Sequence, residues 1–98
     1  MQVDVTGRNL EVTAPLRQYV EEKMERIQRH IDRPVDAHVV LSLEKNRNSA
    51  EINLRAPGGT LHADAESEDM YAAIDAMADR IDRQVRRYHG RARDEHRP

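Results

Sequence analysis

Two kinds of hydrophobic period divide this chain almost without remainder. Residues 2–6 alternate, with Val3 and Val5 on one face and Gln2, Asp4 and Thr6 on the other. That is the period of a half-buried strand, closed by Gly7. A helical period follows. Thr13 can cap a helix, Pro15 fits its first turn, and Leu16, Val20, Met24, Ile27 and Ile31 form one apolar stripe. Asp32-Arg33-Pro34 ends it, because the residue before proline avoids helical geometry.

Alternation returns over 35–45, where Val35, Ala37, Val39, Leu41 and Leu43 point one way. Asn46-Arg47-Asn48 reads as a hairpin loop. Residues 49–56 place Ile52, Leu54 and Ala56 inward, Pro57-Gly58-Gly59 makes a second turn, and 60–66 place Leu61, Ala63 and Ala65 inward. Ser67 can cap a last helix, with Glu68 and Asp69 at its positive end. Its apolar stripe is Met70, Ile74, Met77, Ile81, Val85 and Tyr88; Gly90 offers an end, unless Arg91 and Arg93 extend it.

The order is β-α-β-β-β-α, an α+β fold. Two helices packed on one face of a four-stranded mixed sheet bury every apolar surface in one two-layer core. The first two strands should be parallel through a right-handed crossover, and strands two to four antiparallel. The other sheet face should be polar and wet. We expect a single domain over residues 1–93 and a short flexible tail over 94–98.

Composition narrows the function. The 98 residues carry a net charge of -2, with 35% charged residues, no Cys, no Trp and no Phe. Zero cysteines exclude a disulfide scaffold and thiol chemistry, and fit a reducing compartment. The amino terminus has no signal-peptide pattern and no apolar run approaches membrane-spanning length, so the expected location is cytoplasmic, with no membrane partner.

The charge is unevenly spread. Between Arg80 and Arg93 stand six arginines and one acid, Asp82, a balance of +5, which leaves -7 for the other 84 residues. Arg80, Arg83, Arg87 and Arg91 share one stripe at spacings of 3, 4 and 4, roughly 100° to one side of the apolar stripe. Asp75, Asp79 and Asp82 lie on the other side. The first helix repeats the segregation with Lys23, Arg26, Arg29, His30 and Arg33. The guanidinium fork suits phosphate. A solvated helix face carries charge as a matter of course, and arginine near a helix carboxyl end is favoured by the dipole, so the stripe alone leaves both readings open. The pI of 6.2 argues against a general nucleic-acid binder and allows a specific one.

Other chemistry is weak. His62 and Asp64 point the same way, and His38 shares their face if the registers agree, but no compact metal-ligand spacing is present. There is no nucleophile elbow and no phosphate-binding glycine loop. No catalytic residue, cofactor or metal is expected. Tyr71 lies just off the apolar stripe and is free to stack on a base.

The stretch from His62 to Arg91 resembles the carboxyl half of the ribosome hibernation promoting factors, most closely at Asp69-Met70-Tyr71-Ala72-Ala73-Ile74-Asp75, Arg80 and Arg83-Gln84. Met1-Gln2-Val3, Thr6-Gly7-Arg8-Asn9, Leu16-Arg17, Lys23, Val40-Leu41 and Glu44-Lys45 extend the similarity over nearly the whole chain, at the length of the short form. The resemblance implies the same β-α-β-β-β-α fold and a translation inhibitor of resting cells. Such a protein occupies the mRNA/tRNA cleft of the small ribosomal subunit and, with ribosome modulation factor, promotes ribosome pairing. By position it implies rRNA contacts at Lys23, Arg26, Arg29, Arg80, Arg83, Arg86, Arg87 and Arg91, and a monomer off the ribosome. This chain departs from the resemblance in using arginine where the family's helices are lysine-rich, and in placing Glu21, Glu22 and Glu25 beside the first stripe. The alternatives are a double-stranded-RNA-binding module with another role and a protein-interaction domain.

Overall fold

The computed structural model describes residues 2–31 and 36–95, with side chains as far as Arg87. Strand β1 (Gln2–Arg8) leads into helix α1 (Ala14–Gln28). Strands β2 (Asp36–Glu44), β3 (Arg47–Ala56) and β4 (Gly59–Ser67) and helix α2 (Met70–Glu95) follow. The sheet order is β1-β2-β3-β4, with β1 parallel to β2 and both other pairs antiparallel. This is the two-layer α+β architecture that the periods predict.

The inward set of the sheet is Val5, Ala37, Val39, Leu41, Ala50, Ile52, Leu54, Ala63 and Ala65, all buried. Val20, Met24 and Ile27 of α1 and Met70, Ala73, Ile74, Met77, Ala78, Ile81 and Val85 of α2 close over them as one cluster. Among the described residues no polar or charged residue is buried, so the core rests on apolar burial alone, at about 1.5–3 kcal/mol for each large side chain. Leu43 keeps the inward parity of β2 but is 39% exposed. It stands at the hairpin tip, opposite Asn48, where the helix layer no longer covers the sheet.

Several boundaries differ from expectation. β1 continues through Gly7 to Arg8, because pairing with β2 persists at Gly7↔Leu41 and Arg8↔Ser42. A Cβ at Gly7 would collide with the carbonyl oxygen of Leu10, whose loop folds back over the strand. The β2–β3 turn is Lys45-Asn46, one residue earlier than expected. Both have positive φ, 49° and 66°, the signature of a two-residue type I′ hairpin, which keeps Glu44 opposite Arg47. The next turn sits on Pro57-Gly58, where φ is 90° at Gly58, a value that glycine alone adopts cheaply.

At the helix ends, Thr13 caps α1 as expected, its Oγ1 accepting from the Leu16 N–H. α1 stops at Gln28, and His30 and Ile31 close a tight final turn onto the carbonyls of Ile27 and Gln28. The expected Asp32-Arg33-Pro34 break and Val35 lie outside the described residues. The cap of α2 is Asp69, not Ser67: Asp69 Oδ2 accepts from the Ala72 N–H at 3.2 Å, while Ser67 Oγ accepts from Asp69 N–H. α2 passes through Gly90 and ends at Glu95. The side chains of Tyr88 and Arg91 and residues 96–98 of the expected tail lie outside the described residues.

Candidate nucleic-acid interface

Three cross-helix contacts set the relation of the two helices. The Tyr19 hydroxyl donates to Asp75 at 2.5 Å, Lys23 pairs with Asp75 at 3.0 Å, and His30 meets Asp82 at 2.7 Å. Residue numbers on both helices rise together, so α1 and α2 run parallel, and α1 ends beside Asp82, near the middle of α2.

Side by side in this direction, the basic flank of α1 faces the acidic flank of α2. Lys23, Arg26, Ile27 and His30 line one side of a shallow groove, and Ala78, Asp79, Asp82 and Arg86 line the other. Asp82 is shared between His30 and Arg86, whose Nε lies 3.1 Å away. The two basic stripes predicted to lie on the helices therefore do not join into one surface. An acidic seam separates them, and Lys23 and Arg86 are engaged in it.

The seam is strongest at Asp75. The hydrogen bond from Tyr19, helped by Lys23, holds its carboxyl below the usual carboxylate range. The same bond raises the Tyr19 hydroxyl, and Asp75 raises Lys23. The Lys23 ammonium also stands 5.2 Å from the Tyr19 ring centre, and Tyr71 meets Tyr19 edge-on at 5.0 Å and 83°. Tyr71 is 40% exposed. Tyr19 has no part in the sequence reading, although its position four residues before Lys23 puts both on one helix flank.

The other flank of α2 faces the outer edge of β4. Arg80, Arg83, Gln84 and Arg87 stand there with His62, Ala63 and Asp64 around an open groove of about 330 Å³. Arg80 Nη1 donates to the carbonyl oxygen of Asp64, and Gln84 Nε2 donates to that of His62 at 2.6 Å. Among the described arginines of the two helices and the α1 cap, Arg26, Arg29, Arg83 and Arg87 are exposed and have neither a salt bridge nor a side-chain hydrogen bond. The structure thus brings Arg80, Arg83 and Arg87 together, puts Arg86 on the opposite side of α2, and leaves Arg26 and Arg29 on α1 and its carboxyl cap. Arg91 lies further along α2, its side chain undescribed.

On the open sheet face the register aligns Asp4, His38, Asn53 and His62 in one row. Asn53 stands between the two histidines and bonds His62 Nδ1 at 2.9 Å. No three His, Cys, Asp or Glu side chains converge for a metal among the described residues, and none of their helices is long and apolar enough to cross a membrane.

A two-layer βαβββα domain with arginines grouped on its last helix defines a class, and the chain belongs to the family described as Sigma 54 modulation protein / S30EA ribosomal protein, which it matches over residues 3–93. It is 48% identical over 88 residues to the ribosome hibernation promoting factor of Pseudomonas putida, covering 90% of this chain and 86% of that one. To the factor of the same name from Escherichia coli it is 40% identical over 88 residues, covering 90% and 93%. Among solved structures, the N-terminal domain of Protein Y from Thermus thermophilus superposes with a TM-score of 0.84 at 43% identity, covering 90% of this chain and 99% of that one.

Proposed function

We propose that this chain is a ribosome-associated hibernation factor that holds translation off in resting cells. It is not an enzyme; the family is one of non-enzymatic ribosome-binding proteins. Its partner is the small ribosomal subunit, and its place is the mRNA/tRNA cleft, which it blocks by occupancy. Ribosome pairing follows, together with ribosome modulation factor. The protein is cytoplasmic and is a monomer off the ribosome. The names carried by relatives at 40–48% identity support the ribosomal role.

The observation that carries the RNA contact is the set of exposed, unpaired arginines on the two helices and the α1 cap, Arg26, Arg29, Arg83 and Arg87, in a chain of net charge -2. The net repulsion between an acidic protein and RNA must be overcome locally, and these helix arginines are free to do so without giving up a partner. Arg80, Lys23 and Arg86 stand beside them but already hold partners.

The test is co-sedimentation with purified small subunits. Replacing Arg83 and Arg87 together with Glu should abolish binding while circular dichroism stays unchanged. Retained co-sedimentation would refute the mechanism. Displacement by mRNA and tRNA separates cleft occupancy from a double-stranded-RNA-binding module, which would be indifferent to both.

A further inference from the structure

The three arginines of the α2–β4 groove have the same charge and share one helix stripe, but they are not equivalent. β4 is an edge strand, bonded only to β3. Its residues His62 and Asp64 are two apart, so their carbonyls face the same side of the strand, and α2 takes both. Arg80 reaches Asp64 and Gln84 reaches His62, so α2 runs antiparallel to β4. Four helical residues rise about 6.0 Å, and two strand residues advance about 6.8 Å. The near match lets two side chains one turn apart bond two alternate carbonyls without strain. An exposed sheet edge is thereby closed, as Arg17 does more weakly at the other edge by donating to Val5 at 3.4 Å.

We propose that Arg80 and Gln84 are positioning residues that clamp α2 to the outer edge of β4, and that Arg83 and Arg87 alone make the phosphate contacts of this groove. Gln84 has no charge to offer a phosphate, and its amide is already spent. Arg80 would have to surrender an edge carbonyl to turn towards RNA. Arg83 and Arg87, one helical turn apart beside the clamp, give up no partner on binding. The division rests on the RNA-binding reading above, and it assigns Gln84 a part in binding that its chemistry alone does not suggest.

Counterion release separates the two roles. Removing one arginine–phosphate pair lowers the slope of log affinity against log salt by about 0.7–0.9. Removing a positioning bond weakens binding at every salt concentration and leaves the slope alone. Binding of the full chain to purified small subunits, titrated across a salt series, reads both quantities. Arg83→Ala and Arg87→Ala should each lower the slope by that amount. Arg80→Met and Gln84→Met should weaken binding roughly 3- to 10-fold, as for the loss of one hydrogen bond, at unchanged slope. They should also speed amide exchange along residues 80–88, which Arg83→Ala should not. A slope reduced in Arg80→Met as much as in Arg83→Ala would overturn the assignment, as would unaltered affinity in Gln84→Met. If Arg80→Met fails to fold, Gln84→Met carries the test alone, since it keeps side-chain volume and removes only the donor. Unchanged slopes in both Arg83→Ala and Arg87→Ala would instead refute RNA contact in this groove. The clamp would then stand or fall on amide exchange.

Discussion

Asp75 holds two residues of α1 at once, and that sets the energetics of the helix pair. Tyr19→Phe removes the donor and leaves the ring contact with Tyr71. The expected cost is about 1 kcal/mol, at the low end for a hydrogen bond to a charged group because Asp75 is 47% exposed. That corresponds to a fall in Tm of about 4–8 °C for a domain of this size. The pH dependence has two limits. Asp75 has a lowered folded pKa, so its contribution is present above the unfolded carboxylate value, about 3.9, and fades as pH falls through the folded value. Tyr19 and Lys23 have raised folded values. Their contribution is present below about 10 and fades as pH rises through the folded values. Thermal melts of wild type and Tyr19→Phe should therefore differ most near neutrality and converge towards both extremes.

At the scale of elements, the apolar periods were legible and the polar ends only in part: Thr13 caps α1 as expected, while the cap of α2 and the β2–β3 turn moved. Every buried residue of β2, β3 and β4 lies on the face that alternation predicts, because burial of one sheet face imposes a period of two. Caps and turns depend on which of several competent neighbours the chain path favours. Ser67 and Asp69 both suit a cap, and only the departure of the chain from β4 puts Asp69 at the first free N–H groups. Asp69→Ala should cost about 1 kcal/mol, read by chemical denaturation, and Ser67→Ala distinctly less; the reverse order would contradict the assigned cap. The hairpin moved by one residue for a similar reason. Asn46 signalled a turn, but Lys45 at positive φ has no propensity that predicts it.

For the whole molecule, the decisive quantity is the charge layout across α2. On one side its acids pair with Lys23 of α1 and with His30 just beyond it; on the other its arginines overhang the β4 edge. Asp82 is the pivot of the seam, serving His30 and Arg86 together. Asp82→Asn should release Arg86 and remove one negative charge between the two basic stripes. Small-subunit affinity at low salt should rise several-fold, roughly as expected for one screened charge near a surface, with the gain vanishing at high salt. An affinity that falls or stays constant in the binding titration would mean that the seam does not oppose RNA.

Arg80, Arg83, Arg86, Arg87 and Arg91 were visible as a basic segment because helical geometry alone assigns side chains to stripes. The sequence by itself determined the element order, the inward face of each strand, the core stripes and the concentration of positive charge on the last helix. All of these follow from local periodicity and composition. Only the tertiary structure decided which stripe faces which. The parallel packing of α1 and α2 set the basic flank of one against the acidic flank of the other, as an ion-paired seam, and left a separate groove at the β4 edge. The β4 edge divided the arginines of that groove between Arg80, bonded to a backbone carbonyl, and Arg83 and Arg87, left free. No period in the chain encodes a partner some 20 or 50 residues away, so the free arginines are distinguished from the engaged ones only once the layers have closed.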